Sequence, residues 1–94
     1  MKKWFKKRQI KKINQKYKSQ VLVYSAAWCV ACQKTQELLD KYFVTYTVLE
    51  IDQSSEAYAE LKSLGCLALP VVIFDGVLIE GFKPNRLEQL VLRT

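Results

Sequence analysis

A Cys-x-x-Cys motif between a predicted strand and a predicted helix constrains the fold of this chain most. Cys29 and Cys32 closely follow the apolar run Val21–Tyr24, and the residues after them have helical periodicity. Residues three apart on a helix share a face, so the two sulfurs can meet. The first cysteine lies at the helix N-terminus, where the macrodipole favours a thiolate. The motif predicts a dithiol for disulfide exchange, in which Cys29 attacks and Cys32 resolves the mixed disulfide.

Cysteine pairs with this spacing also occur in zinc sites. A tetrahedral zinc site needs four ligands, whereas this chain has three cysteines and no histidine. We therefore expect no bound metal. The third cysteine, Cys66, is interpreted as a small buried hydrophobe. The alternative is a regulatory thiol that is open to glutathionylation.

The positive charge of the chain is confined to its first residues. The net charge is +6, yet residues 1–20 contain nine basic side chains and no acidic one. We therefore divide the chain into a basic N-terminal extension, 1–19, and a domain, 20–94. Residues 1–18 form either a solvated extension or an electrostatic contact with nucleic acid, anionic lipid or an acidic protein.

Few apolar residues interrupt the lysines of this extension. Ile10, Ile13 and Tyr17 have helical spacing, which is compatible with a short amphipathic helix or a largely disordered arm. Trp4 and Phe5 would suit a membrane surface, or would pack back on the domain.

The length and hydropathy of the chain exclude several classes of protein. Ninety-four residues allow one domain with one modest core. No apolar stretch approaches the roughly 20 residues that a membrane-spanning helix needs. The charged N-terminus is not followed by the apolar stretch of a signal peptide. We expect a cytoplasmic monomer, in the compartment where thiols stay reduced.

Hydrophobic periodicity and turn residues predict the order β-α-β-α-β-β-α after the basic segment. Asp75-Gly76 is a two-residue hairpin signal, and Pro84 is a good first residue for the last helix. Alternating strands and helices indicate an α/β fold with a mixed sheet and helices on both faces. The predicted strands are 21–25, 45–51, 70–74 and 77–80, and the predicted helices are 30–42, 56–64 and one from residue 84.

Over residues 20–92 the chain resembles thioredoxin-fold proteins, and among them the glutaredoxin-like redoxins of the NrdH type. The first stretch that carries the resemblance is Cys29-Val30-Ala31-Cys32. The second is Leu69-Pro70-Val71-Val72, similar to their Leu-Pro-Val-Val. The third and most specific is Gly81-Phe82-Lys83-Pro84-Asn85, similar to their Gly-Phe-Arg-Pro-Asp. The resemblance implies a thioredoxin/glutaredoxin-like fold with a four-stranded mixed sheet.

The resemblance also implies a surface for partners around the dithiol. A cis Leu69–Pro70 bond would turn the Leu69 backbone toward Cys29, free to pair with an extended substrate; a plain strand-starting proline is the alternative. Trp28 would be exposed beside the dithiol, or else buried in the core. Gly81 would allow close approach of a partner, and Phe82 would widen the contact or pack under the last helix.

Redoxins of this type reduce class Ib ribonucleotide reductase, so the resemblance implies that acceptor. Glutaredoxins usually hold glutathione with a Gly-Gly and Asp element, which Glu80-Gly81-Phe82 replaces here. We therefore expect no bound cofactor, and electrons from NADPH through thioredoxin reductase. Two alternatives stay open: a general glutaredoxin or thioredoxin with broad clients, and a redox-sensing module whose basic segment binds nucleic acid or membrane.

Overall fold

The computed structural model describes the backbone of residues 3–93 and the side chains of residues 7–93. This part of the chain contains four helices and four strands, in the order α-β-α-β-α-β-β-α. The helices are α1 (Lys3–Tyr17), α2 (Val30–Lys41), α3 (Ser55–Ser63) and α4 (Pro84–Leu92). The strands are β1 (Val21–Ser25), β2 (Thr47–Glu50), β3 (Val71–Phe74) and β4 (Val77–Glu80).

The strands form one mixed sheet in the order β2-β1-β3-β4. Strand β1 pairs in parallel with β2 and antiparallel with β3, and β3 pairs antiparallel with β4. Every residue of β1 and of β3 is buried, because these two strands are central and have helices on both sides. The four-stranded mixed sheet predicted from the sequence is confirmed.

The two faces of the sheet carry separate apolar clusters. Leu22 and Tyr24 of β1 pack with residues of α1 and α3 on one face. Val21 and Val23 pack with Leu39 of α2 and with α4 on the other face. This alternation follows from the two-residue period of a strand. The helices therefore lie as two pairs, α1 with α3 and α2 with α4.

Helix α1 packs on the domain, which agrees with the amphipathic helix that the sequence left open and differs from a solvated arm. Ile10 and Ile13 are 4% and 6% exposed and belong to the same cluster as Leu22. Their helical spacing places them on one face, so the lysines between them stay in solvent. Trp4 and Phe5, which we assigned either to a membrane surface or to the domain, lie outside the described side chains.

A polar network attaches the end of α1 to α3. The Lys16 ammonium forms ion pairs with Glu56 at 2.9 Å and with Glu60. The Tyr17 hydroxyl donates to the Glu60 carboxylate at 2.8 Å, and the Tyr24 hydroxyl donates to the same oxygen at 3.1 Å. One half-buried carboxylate thus connects α1, β1 and α3.

Local sequence signals account for most element boundaries. The Ser54 hydroxyl caps α3 by accepting the Ala57 N–H. Asp75 and Gly76 connect β3 to β4 with φ of 48° and 85°, which is the geometry of a type I′ hairpin turn. Strand β2 begins at Thr47, two residues later than the β-branched run predicts. Within the described residues, no helix has the length and apolar content needed to cross a membrane.

Candidate dithiol active site

Cys29 and Cys32 are joined as a disulfide at the start of α2. Cys29 is the N-cap residue, with extended backbone at φ −97° and ψ 104°. Its Sγ accepts the Cys32 backbone N–H at 3.2 Å. This contact uses one of the backbone donors that lack a partner in a helix first turn. A thiolate at this position would be stabilised by the same N–H and by the helix macrodipole.

The two cysteines of the pair differ in exposure. Cys32 is fully buried, whereas Cys29 is 7% exposed and lines a surface groove. Both pack in a small cluster with Ala26, and Ile51 and Leu69 close its sides. An incoming sulfur can therefore reach Cys29 from the groove, while Cys32 stands behind it.

The groove beside Cys29 has a volume of about 550 Å³. Trp28 is 71% exposed and Leu67 is 98% exposed, so two large apolar side chains border it in solvent. The alternative of a core tryptophan does not apply. The remaining lining residues are Cys29, Ile51, Tyr58, Leu61, Lys62, Cys66 and Leu69.

The Leu69–Pro70 peptide bond is cis, as the resemblance implied. Leu69 is half-buried and contributes both to the cysteine cluster and to the groove. The Pro70 carbonyl accepts the Gly81 N–H at 2.7 Å, which extends the β3–β4 pairing by one step. Gly81 has φ of 87°, a conformation that only glycine adopts readily.

Gly81 and Phe82 lie outside the groove lining. Phe82 is 36% exposed, and Gly81 lies beside Pro70 at the edge of the site. The structure thus brings Trp28, Cys29 and Leu69 together around one opening. Contact of Phe82 with a partner stays a prediction.

Two carboxylates fix the loops of the site, and the sequence analysis assigned a role to neither. The Glu80 carboxylate accepts the Leu67 N–H at 2.6 Å and the Ala68 N–H at 2.9 Å. The Asp52 carboxylate accepts the Ala27 N–H at 3.4 Å. Both residues follow or end a strand next to the site, which is the sequence signal that could have identified them.

Cys66 is buried, at 5% exposure, in the cluster between the sheet and α1 and α3. Its interpretation as a small buried hydrophobe agrees with this position. It also lines the groove that holds Cys29. Among the side chains of residues 7–93, no cluster of three or more His, Cys, Asp or Glu suits a metal ion.

Known proteins resemble this chain over the residues that form the site. The glutaredoxin family model matches residues 21–79, from β1 to the middle of β4. This span contains both cysteines and the cis-proline loop. The chain belongs to the glutaredoxin family. Family membership and the paired cysteines give this glutaredoxin a thiol redox function and a thioredoxin fold.

Several relatives of this glutaredoxin are NrdH proteins. The glutaredoxin-like protein NrdH of Lactococcus lactis subsp. cremoris is 29% identical over 70 residues, which are 74% of this chain and 97% of the relative. The Escherichia coli K12 NrdH is 27% identical over 74% of this chain and 86% of its own length.

Solved structures extend the likeness to the whole described chain. The NrdH-redoxin from Escherichia coli, which has a thioredoxin-like activity profile, superposes with a TM-score of 0.70 at 27% identity, over 74% of this chain and 92% of its own. A buckwheat glutaredoxin–glutathione complex has a TM-score of 0.70 at 25% identity, over 98% of this chain and 92% of its own. The second alignment therefore includes α1, for which the NrdH resemblance offered no counterpart.

Proposed function

We propose that this glutaredoxin is a thiol-disulfide oxidoreductase that reduces disulfides in other proteins. Cys29 is the nucleophile and Cys32 is the resolving thiol. The observation that carries the proposal is the position of Cys29, which caps α2 and lines an open groove while Cys32 is buried behind it.

The reaction transfers two electrons from the dithiol to the substrate. The Cys29 thiolate attacks one sulfur of the substrate disulfide, so that bond breaks and the other sulfur leaves as a thiolate. The Cys32 thiolate then attacks Cys29 Sγ and releases the second substrate sulfur. Two protons from the dithiol balance the two substrate thiols. The Cys29–Cys32 disulfide that remains is the form in the structure.

Apolar side chains at the groove support a protein substrate. Trp28 and Leu67 offer exposed surface at the groove that Cys29 lines, and burial of such surface drives protein association. Leu69 lines the same groove and precedes the cis peptide bond, so its backbone is suited to pair with an extended substrate chain. Phe82 enlarges this surface in the proposed complex, and Gly81 lets the partner approach.

We infer that the electrons come from NADPH through a flavin-dependent thioredoxin reductase. The thioredoxin-like activity profile of the Escherichia coli NrdH-redoxin supports this source. Glu80-Gly81-Phe82 also replaces the Gly-Gly and Asp element that usually holds glutathione. Ribonucleotide reductase is the proposed acceptor, by similarity to NrdH proteins, and the proposed setting is the cytoplasm.

A general glutaredoxin is the second candidate function. The likeness to a buckwheat glutaredoxin–glutathione complex favours it. Lys62 also favours it, because this residue lines the groove and its ammonium would attract a glutathione carboxylate. A redox-sensing module without turnover is the non-enzymatic alternative.

The test is a coupled turnover assay with NADPH and one disulfide acceptor. One arm contains thioredoxin reductase, and the other contains glutathione with its reductase. We expect faster NADPH oxidation in the first arm, and loss of turnover in Cys29→Ser in both. Faster turnover with glutathione would show that the protein is a general glutaredoxin. No turnover in either arm would favour the redox-sensing module.

A further inference from the structure

A second groove lies at the end of the sheet away from the dithiol. It is bordered by α1 on one side and by the β3–β4 turn on the other, with a volume of about 480 Å³. Ile10 forms part of its floor. The polar lining residues are Lys7, Lys11, Asn14, Gln15, Gln20 and Asp75, and Gly76 completes the turn.

The charged residues at and beside this groove are mainly basic. Lys7 and Lys11 are exposed and lie one turn apart on α1, and Arg8 and Lys12 are exposed beside them. These four cations lie within about 8 Å along the helix axis, at 1.5 Å per residue. Glu56 and Glu60 pair with Lys16 at the far end of α1, away from Lys7 and Lys11. Asp75 is the one carboxylate in the lining.

The lining favours a nucleic acid over a lipid surface. A membrane-bound amphipathic helix inserts its apolar face, but Ile10 and Ile13 of α1 are already buried in the domain. A concave groove also fits a strand better than it fits a flat bilayer. Side-chain amides at Gln15 and Gln20 can bond base edges, while lysines hold phosphates.

We propose that the groove between α1 and the Asp75–Gly76 turn binds a single strand of RNA or DNA. Lys7 and Lys11 contact the phosphates, and Arg8 and Lys12 extend the contact beyond the groove. Among the side chains of residues 7–93, none in the lining is an aromatic ring on which a base could stack. Binding therefore rests on charge and is strongly salt-dependent, with a Kd near the micromolar range typical of non-specific contacts.

The groove is independent of the dithiol. Gln20 directly precedes strand β1, and the dithiol comes after the strand. Because β1 has five residues, the two sites are separated by roughly 16 Å. Nucleic acid in the groove would leave Cys29 open to its substrate. The proposal thus adds a localising function to the reductase and does not depend on the electron source.

Fluorescence anisotropy tests the proposal on the full chain, with a labelled strand of about 16 nucleotides, a site size typical of single-strand binders. The double variant Lys7→Gln and Lys11→Gln should bind about tenfold more weakly at low salt. Its slope of log Kd against log salt should fall by roughly 1.4, at about 0.7 per phosphate. The control, Lys34→Gln with Lys41→Gln on α2, changes the net charge equally and should bind normally.

Asp75→Asn gives a change of the opposite sign. Asparagine tolerates the positive φ of this turn, so the variant removes a negative charge from the groove with little strain. We expect binding to become about two- to threefold tighter, since one repulsion of a phosphate is lost. Turnover of the dithiol should be unchanged in all these variants, which also shows that they are folded.

Three results would overturn the proposal. The first is equal loss of binding in the α2 control, which would mean that net charge alone matters. The second is unchanged or weaker binding in Asp75→Asn. The third is binding to phosphatidylserine vesicles without binding to the labelled strand, which would assign the basic surface to membranes.

Discussion

The two ends of strand β1 lead to two different sites. Cys29 and Cys32 follow its carboxyl end and lie among apolar side chains, whereas a groove lined by Lys7 and Lys11 lies at its amino end. The first end is suited to covalent exchange, which depends on a few atoms held in fixed geometry. The second is suited to long-range attraction, which depends on the number of charges. The net charge of +6 therefore describes one end of the molecule and says little about the chemistry at the other.

Substitution of the cysteines should affect one end only, and it has the largest expected effect. Cys29→Ser should abolish disulfide reduction, because the accessible nucleophile is lost. Cys32→Ser should still attack and should accumulate mixed disulfides, because the resolving thiol is missing. Turnover and non-reducing mass spectrometry measure the two outcomes. Trapped substrate on Cys32 in a Cys29→Ser variant would reverse the assignment.

Helix α1 should contribute to stability and leave the chemistry of the dithiol intact. Ile10→Ala should lower the free energy of unfolding by about 2 kcal/mol, the lower end for such truncations, because α1 lies at the edge of the core. The exposed Lys12→Ala is the matched control and should change stability by less than about 0.5 kcal/mol. Urea denaturation measures both. Equal stability of the two variants would mean that α1 does not pack in solution.

Removal of residues 1–18 sharpens the same point. The division into 1–19 and 20–94 predicts that the shorter chain folds and keeps its dithiol activity. Because Ile10 and Ile13 are buried, their loss uncovers apolar surface on β1 and α3. The shorter chain should therefore have a lower Tm than the full chain. An unfolded truncated chain would make α1 an integral part of the domain.

Glu80 should affect substrate use more weakly than the cysteines do. Glu80→Ala should lower kcat/KM for a protein disulfide about tenfold, mainly through KM, since two N–H bonds to a carboxylate that fix the loop at Leu67 are lost. Glu80→Gln keeps an acceptor oxygen and should recover part of the loss. The control is the exposed Glu37→Ala. An unchanged KM in Glu80→Ala, with alkylation of Cys29 also unchanged, would exclude the positioning role.

High pH should lower the stability of the fold, and this is the smallest expected effect. Burial, and then the Glu60 carboxylate, raise the pKa of Tyr24 above its ordinary value of 10.0. Burial and a hydrogen bond to Asp40 raise the pKa of Tyr46 to about 12. The folded state favours the protonated phenols, so this stability is complete below pH 10 and is lost as the pH rises further.

Denaturation curves across this pH range provide the measurement. Stability should fall above pH 10, the ordinary tyrosine pKa, and the fall should be less steep in Tyr24→Phe. A slope that is the same in both proteins would remove Tyr24 from the explanation.

Local signals predicted the sheet and the dithiol well. Strands β1 and β4 have the bounds that hydrophobic pattern and turn residues gave, and Pro84 begins α4. The Asp75-Gly76 turn even fixes the β3–β4 register, which pairs Val71 with Glu80. The position of Glu80 next to the cis-proline loop was therefore implicit in the sequence, although its bonds to Leu67 and Ala68 were not.

The sequence pattern could not predict that α1 packs on the domain, because this packing is a tertiary property. Ile10, Ile13 and Tyr17 have helical spacing, but lysines surround them and the composition resembles a solvated arm. Ile10 and Ile13 are buried only because Leu61 and Leu64 of the α3 region pack against them. The hydrogen bond from Tyr17 to Glu60 likewise requires that α1 and α3 lie side by side. The set of side chains that line the groove with Cys29 could not be predicted either. It depends on the positions of loops, which hydrophobic periodicity does not give.

Peptide-resolved alkylation of the reduced protein tests the central claim most directly. Iodoacetamide at limiting concentration and near-neutral pH should modify Cys29 first, because its sulfur caps α2 and lines the groove. Cys32 has no exposed surface, and Cys66, which lines the same groove, follows the C-terminus of α3, where the macrodipole disfavours a thiolate. Both should react much more slowly than Cys29. First modification of Cys32 or Cys66 would contradict the assignment of Cys29 as the nucleophile.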